Sequence, residues 1–171
     1  MDNWYFINEE SEKIYQGELF NELPIVLFDY SDNNKGNRIN INGIVMTQAC
    51  DLENNKVENL IIAGIRDISE LPNKGAAIEI NKGRQARYHL INSWEEEDLN
   101  YKVIDFSEIY SVPIEYIRKY KKDNTIKNIC LNTPYVEYMS QRFGIYFSRI
   151  GLPNGIDEKK LKEDFDKLNK W

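Results

Sequence analysis

Histidine is almost missing from this chain. Its 171 residues hold one, His89, and only two cysteines, Cys50 and Cys130. Structural zinc sites draw several Cys or His ligands at recognisable spacing, and two thiols make no disulfide framework. Cys50, Asp51 and His89 could supply three ligands, yet nothing in their spacing demands an ion, so neither metal nor cofactor is expected. A glycine-rich phosphate loop of the nucleotide-binding kind is also absent. No apolar run approaches the length that spans a bilayer. Met1-Asp2-Asn3-Trp4 lacks the basic start and apolar follow-through of an export signal. The expectation is a cytoplasmic chain without a membrane partner, its thiols reduced. Positive charge is short as well: the net charge is −6 and the pI near 5.0, which weighs against a broad nucleic-acid surface.

What is present suits a globular protein. Hydrophobic residues make up 42% and charged residues 29%, with 11 Tyr and 7 Phe for a core, a composition outside the disordered range. The length fits one domain, 1–171, mainly β over 15–106 and mainly helical over 113–171. Charge is uneven. Residues 1–30 carry seven acids against Lys13 alone. Lys82, Arg84 and Arg87, then Arg118, Lys119, Lys121, Lys122 and Lys127, form two basic clusters, each either a solvated face or an anion-binding patch.

Trp4-Tyr5-Phe6-Ile7 reads as a short strand. Leu23 to Phe28 reads as another, with Pro24 at its beginning or on an edge. Ser31 to Asn37 is a run of turn formers and predicts a loop. Ile39 and Ile41 alternate with polar residues, and Ile44-Val45-Met46 continues as a run buried on both faces. The segments 39–48 and 57–65 form a candidate hairpin around Glu53 to Lys56. Ala76 to Ile80 and Ala86 to Ile91 suggest two more strands joined at Asn81-Lys82-Gly83-Arg84, and Tyr101 to Phe106 a further one. Pro113 predicts a short helix through Tyr120. Thr133 as N-cap and Pro134 at the first helical position predict a helix whose aromatic stripe recurs from Tyr135 to Ile150, with Gly151 and Pro153 as its stop. Within it Gly144 calls for a close packing contact, and Arg142 for a carboxylate or an anion. A last helix is expected from about Asp157. Strands followed by helices predict an α+β domain, a small antiparallel barrel or curved sheet packed on C-terminal helices.

The candidate site lies where the run Gly43 to Met46 ends in Thr47-Gln48-Ala49-Cys50-Asp51. A thiolate at Cys50 needs a base or cation. His89 could be that base, while Gln48 or backbone N–H groups could hold an oxyanion. Arg87 and His89, two apart on a strand, share a face that would suit an anionic oxygen. The alternatives are a small buried cysteine at a strand end and a hydrogen-bonded structural histidine. Cys130 reads as structural.

Gly17-Glu18-Leu19-Phe20, Ile44 to Gln48 and Leu60 to Ile65 resemble the first strands of the PemK/MazF-like small barrels, over about residues 15–91. Thr47 to Leu52, Arg87-Tyr88-His89 and Pro134 to Pro153 resemble a group of uncharacterised prokaryotic proteins. The barrel resemblance implies an SH3-like fold and an RNA-cutting toxin in which an Arg and a Ser or Thr promote attack by a ribose 2′-hydroxyl. Thr47 stands near that hydroxyl position. Asn42-Gly43 occupy the place of the family's Arg, leaving Arg38 displaced and Arg87 on another strand. Three expectations result: a toxin- or defence-associated protein binding or cleaving RNA or another anionic ligand; a cysteine-dependent hydrolase or transferase using Cys50 and His89; or a noncatalytic subunit with a protein partner, or a homo-oligomer. Cys50, Asp51, His89 and Arg87 would line the pocket, with Thr47 and Gln48 at its edge.

Overall fold

The computed structural model describes residues 3–10, 12–29, 35–124, 127–148, 159, 160 and 162. Its strands are β1 (Tyr5–Asn8), β2 (Leu19–Asp29), β3 (Lys35–Val45), β4 (Asn59–Asp67), β5 (Tyr88–Ile91), β6 (Lys102–Pro113) and β7 (Asn128–Leu131). Between and after them lie the α-helices α1 (Ala49–Glu53), α2 (Lys74–Asn81), α3 (Ile114–Asp123) and α4 (Tyr135–Phe147). Five strands form one sheet in the order β2-β3-β4-β6-β5, and β1 and β7 form a two-stranded sheet. Every pair is antiparallel. The α+β class follows directly.

The central strands are apolar on both faces because each face has its own cover. Ile44, Met46, Ala63, Ile65, Ile104 and Phe106 turn to one core with Tyr5, Leu131 and Met139. Val45, Leu60, Ile62 and Val112 turn to the other with Phe20, Leu23, Ile41 and Ile117. Successive residues thus feed opposite cores, as the period of two requires. At Gly43 a Cβ would stand 2.5 Å from Ile62 Cγ2, so β3 can approach β4 only with glycine there. Between the two sheets Glu18 bridges to Cys130, and Leu131 N donates to Gly17 O.

Two irregularities bend the main sheet. On β2 the register shifts between Phe20 and Leu23, where Glu22 has φ +51°. On β6 it shifts between the partners of Ala63 and Gly64, Ile109 and Asp105. Bulges of this kind increase local twist and coil a sheet, and the outer half of the β2–β3 hairpin packs Leu23, Ile25 and Ile41 onto the core of β4 and β6.

Several expectations are corrected. Lys35 to Asn37, expected within the loop of turn formers, already belong to β3. The hairpin 39–48 with 57–65 exists as β3–β4, but α1 fills its tip. Ala76 to Ile80 is helical, not extended: Asn73 caps α2 by accepting from Ala76 N, and Gly83, φ +71°, follows its end. Pro134, not Thr133, occupies the N-cap of α4, without a side-chain cap. No atom lies within 4 Å of a Cβ built at Gly144, so close packing does not explain that glycine. Arg142 is buried, yet it is satisfied by carbonyls rather than by a carboxylate, donating to Gly83 O and Gln85 O at 3.1 and 3.0 Å. The expected stop at Gly151 and Pro153 lies outside the described residues; of the helix expected from about Asp157 only Lys159, Lys160 and Lys162 are described, and they are helical.

Candidate functional site

The strand-end cluster begins with Thr47, which is buried with its Oγ1 accepting from Ile61 N at 2.7 Å. That hydroxyl substitutes for the next ladder acceptor where β3 stops, a structural task. Gln48 sits at the N-cap of α1 with no side-chain capping bond. Cys50, in the first turn, is exposed, and its Sγ lies 3.7 Å from Gln48 Oε1 and 3.9 Å from Asp51 Oδ1. Gln48, Ala49 and Cys50 border a cavity of about 640 Å³ whose other wall comes from Asn132 and α4. A smaller cavity of about 350 Å³, bordered by Thr47, Asp51 and Asn59, lies beside it. Gln16 stands between the two. It donates to Ser140 Oγ at 2.7 Å and accepts from Ala49 N at 3.3 Å. Nothing in the sequence marked Gln16, since its partners lie 33 and 124 residues away.

His89 is elsewhere. It is buried on β5, its ring stacked on Phe106 at 6.3 Å and edge-on to Tyr138 at 5.1 Å. It borders neither cavity that Gln48 borders. Its Nε2 is buried without a hydrogen-bond partner among the described residues. Burial, and secondarily Arg142, lowers its pKa to about 4, so the ring is neutral at physiological pH. The structure therefore brings Thr47, Gln48, Cys50 and Asp51 together and leaves His89 outside the group, sealed in aromatic packing.

Arg87 is separate again. Its Nε and Nη2 donate to the two oxygens of Asp105 at 2.8 and 2.6 Å. Asp105 is fully buried, and Ser107 adds bonds from its N and Oγ. Burial opposes ionisation of this carboxyl, but the bonds from Arg87 and Ser107 outweigh it and hold its pKa below the ordinary range. Arg66 reaches the same carboxylate at 3.5 Å and Glu108 at 2.9 Å. Two acids thus neutralise the two arginines. A lone acid in the apolar stretch Val103 to Phe106 was the sequence signal for such a pair. Most members of the basic clusters are likewise engaged: Arg84 with Glu79, Arg118 with Glu115, Lys121 with Glu18, Lys122 with Glu12 and Lys127 with Glu97. Among the described residues no group of three His, Cys, Asp or Glu is placed to hold a metal ion, and no helix is long and apolar enough to cross a membrane.

The thiols differ sharply. Cys130 is fully buried, and burial, reinforced by Glu18, raises its pKa. Iodoacetamide at neutral pH is expected to alkylate Cys50 alone in the folded chain, with Cys130 reacting only after denaturation; mass spectrometry of tryptic peptides reads the order.

A third region went unnoticed in the sequence. A groove of about 670 Å³ is lined on one side by Pro24 to Leu27 of β2 and on the other by Ile109 to Pro113 of β6, with Arg38 and Tyr116 beside them. Both walls are strand edges. β2 ends the sheet order, and β5 covers β6 only from Lys102 to Asp105. The direction of each backbone group follows from the backbone hydrogen bonds. Ile114 N donates to Glu58 O, so Val112 and Tyr110 also face β4, while Ile109 and Ser111 turn outward. On β3, Val45 faces β2, so Ile41, Ile39 and Asn37 do too after the bulge, and their partners Leu23, Ile25 and Leu27 face inward. Val26 and Phe28 turn outward. So does Pro24, whose carbonyl accepts from the Tyr116 hydroxyl. Pro24 and Pro113 both fall at outward positions, where a missing N–H costs no ladder bond. Val26 is 62% and Phe28 65% exposed, and Ile109 and Tyr116 are also exposed.

No protein-family model matches the chain, and no curated protein matches it either.

Proposed function

We propose that this chain is a noncatalytic binding subunit that docks a protein partner in the open seam between β2 and β6. The observation that carries this reading is the pair of unpaired strand edges flanking an apolar groove, with Val26 largely exposed in its wall and Phe28 exposed further along β2. Exposed apolar strand edges are ordinarily blunted or covered because they invite pairing. Chemistry finds less support. A thiol hydrolase needs a base beside Cys50, and the chain's only imidazole is sealed against Phe106 and Tyr138. In the same proposal the curled sheet is an open form of the SH3-like, PemK/MazF-like small barrel, supported by its two bulges.

A second reading is RNA binding in a toxin or defence setting. It is favoured by Arg38 beside Tyr116 and Tyr110 in the groove, since a guanidinium and aromatic rings together can hold a phosphate and a stacked base. The two readings separate in one experiment. A photo-crosslinking residue at position 28, with position 119 on α3 as control, is irradiated in the expressing cell. Adducts at 28 that protease removes and nuclease does not are the expected result. Nuclease-sensitive adducts would replace the protein-partner reading with the RNA reading, and equal yields at 28 and 119 would remove both.

A further inference from the structure

We propose that the seam accepts one extended polypeptide segment of the partner, which pairs with the outward edge of β2 at Val26 and Phe28 and turns an acidic side chain toward Arg38. This rests on the binding-subunit reading and names how the partner is held.

Three observations favour a strand over other occupants. First, Val26 and Phe28 each present an outward N–H and C=O, and Ile109 and Ser111 do the same across the groove. A backbone supplies matching groups at the same repeat, as added strands do in β-augmentation. A helix cannot, because its own backbone is already bonded. Second, the walls alternate backbone with apolar surface from Ile25, Val26 and Ile109, which suits side chains emerging on alternate faces. Third, among the described residues Arg38 is the sole charged residue lining the groove, and no ion pair holds it. One cation in an apolar slot selects an acid in the occupant. It is too little charge to carry a polyanion against a chain of net charge −6. A second copy would bring another −6 of net charge against the first, so a different polypeptide is the better occupant. The volume of the groove falls in the range of a short ligand segment.

Because the Val26 nitrogen points away from β3, proline at this position removes only the outward donor. The same substitution at Leu27 would break the β2–β3 ladder. Val26→Pro is therefore a selective probe of strand addition.

The test uses the full chain and a displayed library of random 12-residue peptides. Enrichment of sequences alternating apolar residues with a conserved Asp or Glu is expected. For the synthetic consensus peptide, Val26→Pro should weaken binding at least tenfold with an unchanged circular dichroism spectrum. Arg38→Glu should weaken it similarly, and exchanging the peptide's acid for Lys should restore it. N-methylation of alternate peptide amides, which leaves the protein untouched, should also cost at least tenfold in one phase and little in the other. That arm keeps the test decisive if Val26→Pro fails to fold. Peptides that bind yet tolerate methylation in both phases would overturn strand addition while leaving the binding-subunit reading intact. Absence of any enriched peptide, together with nuclease-sensitive adducts at position 28, would overturn both. Seam-dependent dimerisation of the chain alone, seen by light scattering and lost in Val26→Pro, would assign the slot to a second copy and overturn the foreign strand.

Discussion

Lys121→Met is expected to destabilise the fold by about 3–5 kcal/mol, the usual cost of stranding one member of a buried ion pair. Lys121 Nζ lies 2.5 Å from Glu18 Oε1, and both side chains are fully buried. The ammonium also donates to Lys13 O at 2.6 Å, while the carboxylate accepts from Tyr15 N at 3.0 Å. The pair ties α3 to the Gly17-Glu18 junction, where the two sheets meet. Burial raises the Glu18 pKa even with Lys121 opposing it. With the lysine gone, that opposition disappears and the folded-state pKa rises further. A raised carboxyl pKa favours the folded state below the unfolded value and loses that advantage as pH rises through the folded one. The deficit of the variant should therefore be largest near pH 8 and shrink on acidification. Glu18→Gln combined with Lys121→Met should recover most of the loss, since no unpaired charge remains. Urea melts of the parent and the two variants at pH 5 and pH 8 check both the magnitude and the slope. A loss of less than 1 kcal/mol at pH 8 would place the pair in solvent.

The second large effect comes from His89. Its pKa falls from 6.5 to about 4 on folding because burial disfavours the imidazolium. Between those values the unfolded chain holds a proton that the folded chain refuses, so stability declines as pH falls from 6.5 to 4 and is unaffected by this ring above 6.5. A shift of that size corresponds to roughly 3 kcal/mol across the window. In His89→Leu the contribution vanishes, and the difference between variant and parent isolates it from other titrating groups. Near pH 7.5 the variant should match or exceed the parent, because the unpartnered Nε2 is removed along with the ring. A catalytic imidazole would need access to solvent and substrate. A variant that follows the parent's acid profile unchanged would show that the ring titrates normally.

These expectations show what the sequence could and could not disclose. Local signals were reliable where short-range chemistry governs. Ile44-Val45-Met46 is buried on both faces because both faces are covered. Pro24 lies on an edge strand, and Pro113 opens α3. Ala76 to Ile80 misled because a short apolar run fits either period, and the Asn73 cap decides for helix. Long-range pairing was not legible. Arg87 finds Asp105 18 residues away, Glu18 finds Lys121 103 residues away, and His89 turns into a cluster of rings contributed by β6 and α4. Chemistry-bearing residue types drew attention to Cys50 and His89, while the most exposed large apolar side chains among the described residues are Val26 and Phe28, two ordinary residues. Consecutive apolar residues after an edge proline were the available clue.

The central claim is that β2 and β6 carry free edges on either side of the groove. Residue-resolved amide hydrogen exchange of the isolated chain tests it most directly. Val26, Phe28, Ile109 and Ser111 should exchange at least a hundredfold faster than their inward neighbours Ile25, Leu27, Tyr110 and Val112. Equal, strong protection of both sets would mean that the two edges are already paired, and that no slot exists for a partner.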